Sequence, residues 1–215
     1  MRPIRVLLAI ASVLLLPLAA MGEEIQSPVM AQYEAGFPAF EAQMPDMSEG
    51  RTHPCVHITT QDGLALMIKT ADCQPILLAH EGGRHILALH SGWRGSRADF
   101  AFAAVGEFCA RYALDPAELW AVRGPSLGPA AAEFVNFAQE WGEDFAPWYC
   151  ERWRAMDLWA LTRSQLMRAG LRPERILGLD ICTFEGHEMF FSHRHARKYG
   201  SEAGRQASLI WIVKK

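Results

Sequence analysis

Two compact apolar runs, Pro75 to Ala79 and Arg84 to His90, stand on either side of Glu81-Gly82-Gly83. Short apolar runs separated by paired glycines predict two antiparallel strands joined by a tight turn. Such a hairpin is not stable alone, so the rest of the chain must supply further strands and a covering layer. Side chains alternate along a strand, which puts Ile86, Ala88 and His90 on one face. A third apolar run, Leu64 to Lys69, precedes the hairpin and stops at Thr70-Ala71-Asp72-Cys73. If 75–79 and 84–90 pair, strands 64–69 and 84–90 run in one direction and end at the same edge of a sheet. Cys73 and His90 are expected together at that edge.

The segment Ser91-Gly92-Trp93-Arg94-Gly95 breaks the last of these strands and leads into a helix. Phe100, Ala104, Phe108 and Tyr112 recur every four residues with Val105 and Cys109 beside them, an apolar stripe that faces the sheet. Asp115-Pro116-Ala117-Glu118 has the capping Asp, the first-turn Pro and the following Glu of a second helix start. Val122 opens a short strand that runs into the stiff loop Gly124-Pro125-Ser126-Leu127-Gly128-Pro129, and Ala130 to Ala138 is expected to be helical. Asp157 caps a helix from Leu158 to Ala169, with Gly170 as its stop. Ile176 to Cys182 and Ser208 to Val213 read as buried strands. Helices and strands alternate, but several connections are too short for parallel crossovers. The expected fold class is α/β, with mixed β-sheets flanked by helices in a single domain.

The chain has 215 residues and a net charge of −3. Arg152, Arg154, Arg163 and Arg168 are interleaved with acids and apolar residues, so no basic face for nucleic acid is expected. Cys55, Cys73, Cys109, Cys150 and Cys182 are scattered without a CxxC pair, which argues against a disulfide framework and favours a reducing compartment. The N-terminus points the other way. A short basic start, Arg2 to Arg5, is followed by an apolar run from Val6 to Ala20 and by small residues at Ala19, Ala20 and Gly22. Residues 1–22 thus have the anatomy of an export leader, too short for a comfortable membrane span. The alternative is that the same run is a buried strand or helix. No other stretch could cross a membrane. Residues 23–55 lack a clear period and form a divergent N-terminal segment, and the main domain spans 56–215.

A thiol and an imidazole at one sheet edge suit either a zinc site or a nucleophile–base pair. Cys73 and His90 are too far apart in sequence for a local zinc-finger spacing, so their meeting depends on the hairpin. Arg94, in the turn after His90, is a candidate anion contact; covering the sheet edge is the structural alternative. Asp72 either orients a ligand or caps the turn.

Thr70-Ala71-Asp72-Cys73-Gln74-Pro75 followed by His90-Ser91-Gly92-Trp93-Arg94-Gly95 resembles the YfiH family, the laccase-domain proteins. Gly124 to Pro129, Asp157-Leu158-Trp159, Phe190-Phe191-Ser192-His193-Arg194 and Gly204-Arg205-Gln206-Ala207-Ser208 continue the resemblance in order, over about residues 56–213. The resemblance implies an α/β sandwich-like fold and one zinc ion bound by a Cys and two His. It further implies phosphorolysis of purine nucleosides such as adenosine and inosine, with adenosine deaminase activity, in the cytoplasm. Cys73 and His90 take the second and third ligand positions, and Arg194 joins Arg94 and Asp72 as a residue for substrate or phosphate. The first ligand His has no direct counterpart. In Gln32-Tyr33-Glu34-Ala35-Gly36, Glu34 stands where it belongs. Three readings stay open: Glu34 is an oxygen ligand, His53 or His57 supplies the nitrogen, or the chain is a truncated, inactive relative.

Other chemistries use the same pair. Cys73 as nucleophile and His90 as base would make a Cys–His hydrolase. A peptidoglycan-editing role, proposed for some relatives, would accompany export. Copper oxidation is disfavoured, because a multicopper cluster needs many more imidazoles.

Overall fold

The hairpin forms between Gln74–His80 and Ile86–Ser91. Gly83 turns it with a positive φ of 69°, and its amide donates to the His80 carbonyl at 2.8 Å. The computed structural model describes residues 13–14 and 56–213. In chain order the first elements are β1 (Val13–Leu14), β2 (Val56–Thr59), β3 (Ala65–Thr70), β4 (Gln74–His80), β5 (Ile86–Ser91), α1 (Trp93–Arg97), α2 (Phe100–Tyr112) and β6 (Leu119–Arg123). There follow α3 (Phe137–Glu140), β7 (Tyr149–Cys150), β8 (Ala155–Met156), α4 (Leu158–Arg168), β9 (Ile176–Gly178), α5 (His193–Tyr199) and β10 (Gln206–Trp211).

The hairpin is the centre of a five-stranded sheet in the order β2-β5-β4-β6-β9, antiparallel except for the parallel β6–β9 pair. A three-stranded antiparallel sheet, β1-β10-β3, faces it. Leu66, Ile68 and Ile210 of the smaller sheet, with Ile212 just past its end, meet Leu77, Ala79, Ile86 and Ala88 of the larger in one core. The opposite face of the large sheet offers Ile76, Leu78, Leu87 and Leu89 to Phe100, Ala104, Val105 and Phe108 of α2. The four-residue stripe is therefore buried as its spacing requires, and Cys109 lies in the same core. Val13 and Leu14 pair with Ala207 and Gln206 at the edge of the smaller sheet. Residues 1–12 and 15–55 lie outside the described residues, and with them Glu34 and His53. No described helix is long and apolar enough to cross a membrane.

Four local expectations are corrected. Strands β3 and β5 do not share a sheet: β2 and β4 occupy both edges of β5, so β3 pairs with β10 instead. The Asp115 cap does form, its carboxylate accepting the Ala117 amide at 2.9 Å, but it starts only a single turn over Pro116–Glu118. Leu119 and Ala121 then alternate into the core, and the chain becomes β6. Ala130 to Ala138 is not helical until Phe137, because Ala132 and Phe134 are buried while Glu133 and Val135 face water, a two-residue period. The run from Ile176 is a strand only to Gly178; Asp180 takes a φ of 52° and pairs with Arg123, and Cys182 rejoins through a bridge to Ser126.

Candidate active site

Cys73 immediately precedes β4, and His90 is the penultimate residue of β5. The ladder pairs Gln74 with Ser91 and Pro75 with His90. Extending that register by one residue sets Cys73 opposite Gly92, with His90 two positions back on the same strand. Diagonal neighbours of this kind share a sheet face with Cβ atoms about 7 Å apart, close enough for both side chains to reach one ligand. Gly92 makes the arrangement feasible, since a Cβ there would stand 3.2 Å from the Cys73 sulfur. Cys73 forms no disulfide among the described residues, and both residues are half-buried.

The turn before Cys73 is held by its neighbour. Asp72 has a φ of 83°, a left-handed conformation that a non-glycine residue adopts only when the surroundings fix it. Three contacts do so. Its carbonyl accepts the Leu127 amide at 2.9 Å, Oδ1 accepts the Thr183 hydroxyl at 2.8 Å, and Oδ2 accepts the Arg194 amide at 2.7 Å. Asp72 thus fastens both the Gly124–Pro129 loop and the first turn of α5 beside Cys73. That loop is buried and close-packed: a Cβ on Gly124 would meet Pro75 at 2.8 Å, and one on Gly128 would meet Cys182 at 2.9 Å. On the far side, the Gln74 amide donates to the Leu158 carbonyl and the Thr162 hydroxyl, tying the start of β4 to α4.

These elements enclose a cleft of about 1700 Å³. Cys73, His90, Asp72, Arg94 and Arg194 all line it, so these five of the residues singled out in the sequence come together. Trp93, Phe134, Leu127, Leu158, Trp153 and Phe184 give it apolar walls. Trp93 packs on Phe134 and Trp141 at ring separations of 5.5 and 5.8 Å, and the Arg94 guanidinium lies over its ring at 4.3 Å. Arg194 donates through Nη1 to the carbonyls of Ala131 and Glu133, at 3.2 and 2.8 Å. Glu133, His193, Arg197 and Lys198 also line the cleft. Arg197 and Lys198 went unnoticed in the sequence, although their spacing of three and four from Arg194 puts them on its side of a helix.

His57 is not part of this cleft. It pairs with Ala88 on β2, and burial holds its imidazole below the usual value. From Cys73 it is about 13 Å along the strands and about 9 Å across them, too far for one shared ion. Among the described residues, no group of three His, Cys, Asp or Glu side chains could hold a metal ion. Two donors nevertheless fit zinc: a sulfur and an imidazole nitrogen on one face, with the space beside the sulfur kept open by Gly92.

Fold and cleft together define a class: a two-sheet α/β protein whose strand ends present a thiol, an imidazole and several cations to one opening. The chain belongs to the YfiH family, described as multi-copper polyphenol oxidoreductase laccase, whose model matches residues 45–213. It is 37% identical over 163 residues to a purine nucleoside phosphorylase of Xylella fastidiosa strain 9a5c, covering 72% of this chain and 59% of that one. The purine nucleoside phosphorylase YfiH of Escherichia coli strain K12 is 31% identical over 159 residues, with 70% and 60% covered. Among solved structures, YlmD from Geobacillus stearothermophilus superposes with a TM-score of 0.67 at 25% identity, over 75% of this chain and 62% of that one. The Bacillus licheniformis protein YfiH gives 0.64 at 24%, over 74% and 61%, and shows the same mixed fold. The chain spans about three fifths of the length of these curated relatives.

Proposed function

We propose that this chain is a purine nucleoside phosphorylase whose centre is Cys73 and His90, acting as two protein donors of one zinc ion. The observation that carries the reading is their common opening with Arg94, Arg194, Arg197 and Lys198. In phosphorolysis a phosphate oxygen bonds to the anomeric carbon as the glycosidic C–N bond breaks. The electron pair leaves with the purine, which takes up a proton. Such a reaction needs cations to hold the phosphate and apolar walls to receive the base and keep water away. The cleft has both. A bound zinc ion would supply a Lewis acid to a substrate oxygen. Relatives named purine nucleoside phosphorylase support the substrate class. Asp72, with both carboxylate oxygens engaged by Thr183 and Arg194, positions Cys73 and α5 rather than meeting phosphate directly.

The test is release of free base from adenosine and inosine by the purified chain, with and without phosphate. Phosphate-dependent release that disappears in Cys73→Ala and His90→Ala is the expected result. Adenosine converted to inosine without phosphate would reveal the deaminase activity of the resemblance. Activity that needs no metal and is lost on alkylation of the thiol would instead favour the Cys–His hydrolase. A Glu34→Ala variant that keeps its metal would remove Glu34 as the third donor.

A further inference from the structure

The four cations of the cleft are not equivalent. Arg194 is anchored through Nη1 to two main-chain carbonyls, and Arg94 lies flat on Trp93. Arg197 and Lys198 occupy the last turn of α5, exposed and facing the same opening. Among the described residues, neither forms an ion pair with a carboxylate. The Lys198 ammonium stands over the rings of Phe184 and Tyr199, at 5.8 and 5.2 Å. The acids of the cleft do not offset them: Asp72 accepts from Thr183 and Arg194, and Glu133 faces Arg154 at 3.4 Å.

The position of these cations follows from the fold. Asp72, adjacent to Cys73, binds the amide of Arg194 and so fixes the first turn of α5 beside the thiol. Arg197 lies about one turn, roughly 5 Å, further along the helix. Among the described residues, a chain of net charge −3 thus gathers positive charge without a paired carboxylate within a turn or so of its candidate centre.

We propose that Arg197 and Lys198 are the residues that hold a phosphate group in this cleft, in place of Arg94 and Arg194. This assignment rests on the reading of the cleft as a nucleoside site. Arg offers a planar fork matched to phosphate oxygens, and Lys a mobile point charge; the pair suits a tetrahedral anion entering from solvent. The phosphate is either the free co-substrate or one carried by the nucleoside.

Calorimetric titration at fixed ionic strength separates these sources. The probes are inorganic phosphate, adenosine and adenosine 5′-monophosphate, against the full chain, Arg197→Ala/Lys198→Ala and Arg197→Lys. The double variant is expected to lose about tenfold or more in affinity for a phosphate-bearing probe, with adenosine unchanged and Arg197→Lys intermediate. A loss seen with inorganic phosphate assigns the free ion. A loss confined to the monophosphate assigns a substrate-borne group. Either outcome supports the pair. Unchanged affinity for both phosphate probes, in a variant with an unaltered melting curve, overturns it, as does a full chain that binds neither. Phosphate binding that depends on the pair in a chain that releases no base would leave the pair standing and sink the phosphorylase reading.

Discussion

Gly92 and Asp72 carry the geometry of the site without supplying a donor to it. A methyl group on Gly92 would press on the Cys73 sulfur at 3.2 Å. Gly92→Ala should therefore shift the thiol while leaving the sheets intact. The expected outcome is reduced metal occupancy with a melting temperature close to that of the unaltered chain, read by metal analysis beside calorimetry. Asp72 acts through three hydrogen bonds and a left-handed backbone. Asp72→Ala leaves the Thr183 hydroxyl and the Arg194 amide without their acceptor and should cost about 1–3 kcal/mol in denaturant unfolding. Asp72→Asn, which tolerates the same backbone and keeps an acceptor, should cost less. That Cys73 and His90 meet at one opening was legible because the hairpin folds the chain back on itself, although the sheet edge expected to be shared by β3 and β5 does not form. Arg197 and Lys198 were not, because their placement depends on Asp72 reaching Arg194, a contact no local pattern encodes.

Elements with a strong period were legible, and elements decided by tertiary contact were not. The stripe of α2 needs nothing beyond its own spacing, and Phe108 is fully buried in the core it predicts. Phe108→Ala should destabilise the chain by about 3–5 kcal/mol in a denaturant titration. The Asp115 cap, by contrast, is genuine yet opens only one turn, because Leu119 and Ala121 gain more by lining the sheet core than by continuing a helix. The aromatic cluster of Phe134 and Trp141 likewise draws the chain after Ala130 out of helical conformation. Local signals named the ends of these segments; burial chose their form.

At the scale of the molecule, the mixed α/β fold was legible from the alternation of elements, but the division into two facing sheets was not. It follows from β5 having both edges filled, which sends β3 to β10. Burial in the core also gives the whole chain a pH response. Desolvation, aided by Asp115, raises the Cys109 thiol to about 11. The folded chain therefore keeps a proton that the unfolded chain releases at an ordinary thiol value of about 8.5. That stability is present below the unfolded value and is lost as pH rises towards 11. Denaturant midpoints should fall between pH 8 and pH 11, and the fall should be shallower in Cys109→Ala.

The central claim is that one sulfur and one imidazole, brought together by a hairpin, share a cation. Metal analysis of the purified chain after zinc loading addresses it without reference to any substrate. Zinc should bind stoichiometrically and be lost in both Cys73→Ala and His90→Ala, with melting curves showing that each variant still folds. Zinc retained undiminished in either variant, or never held by the unaltered chain, would contradict the claim.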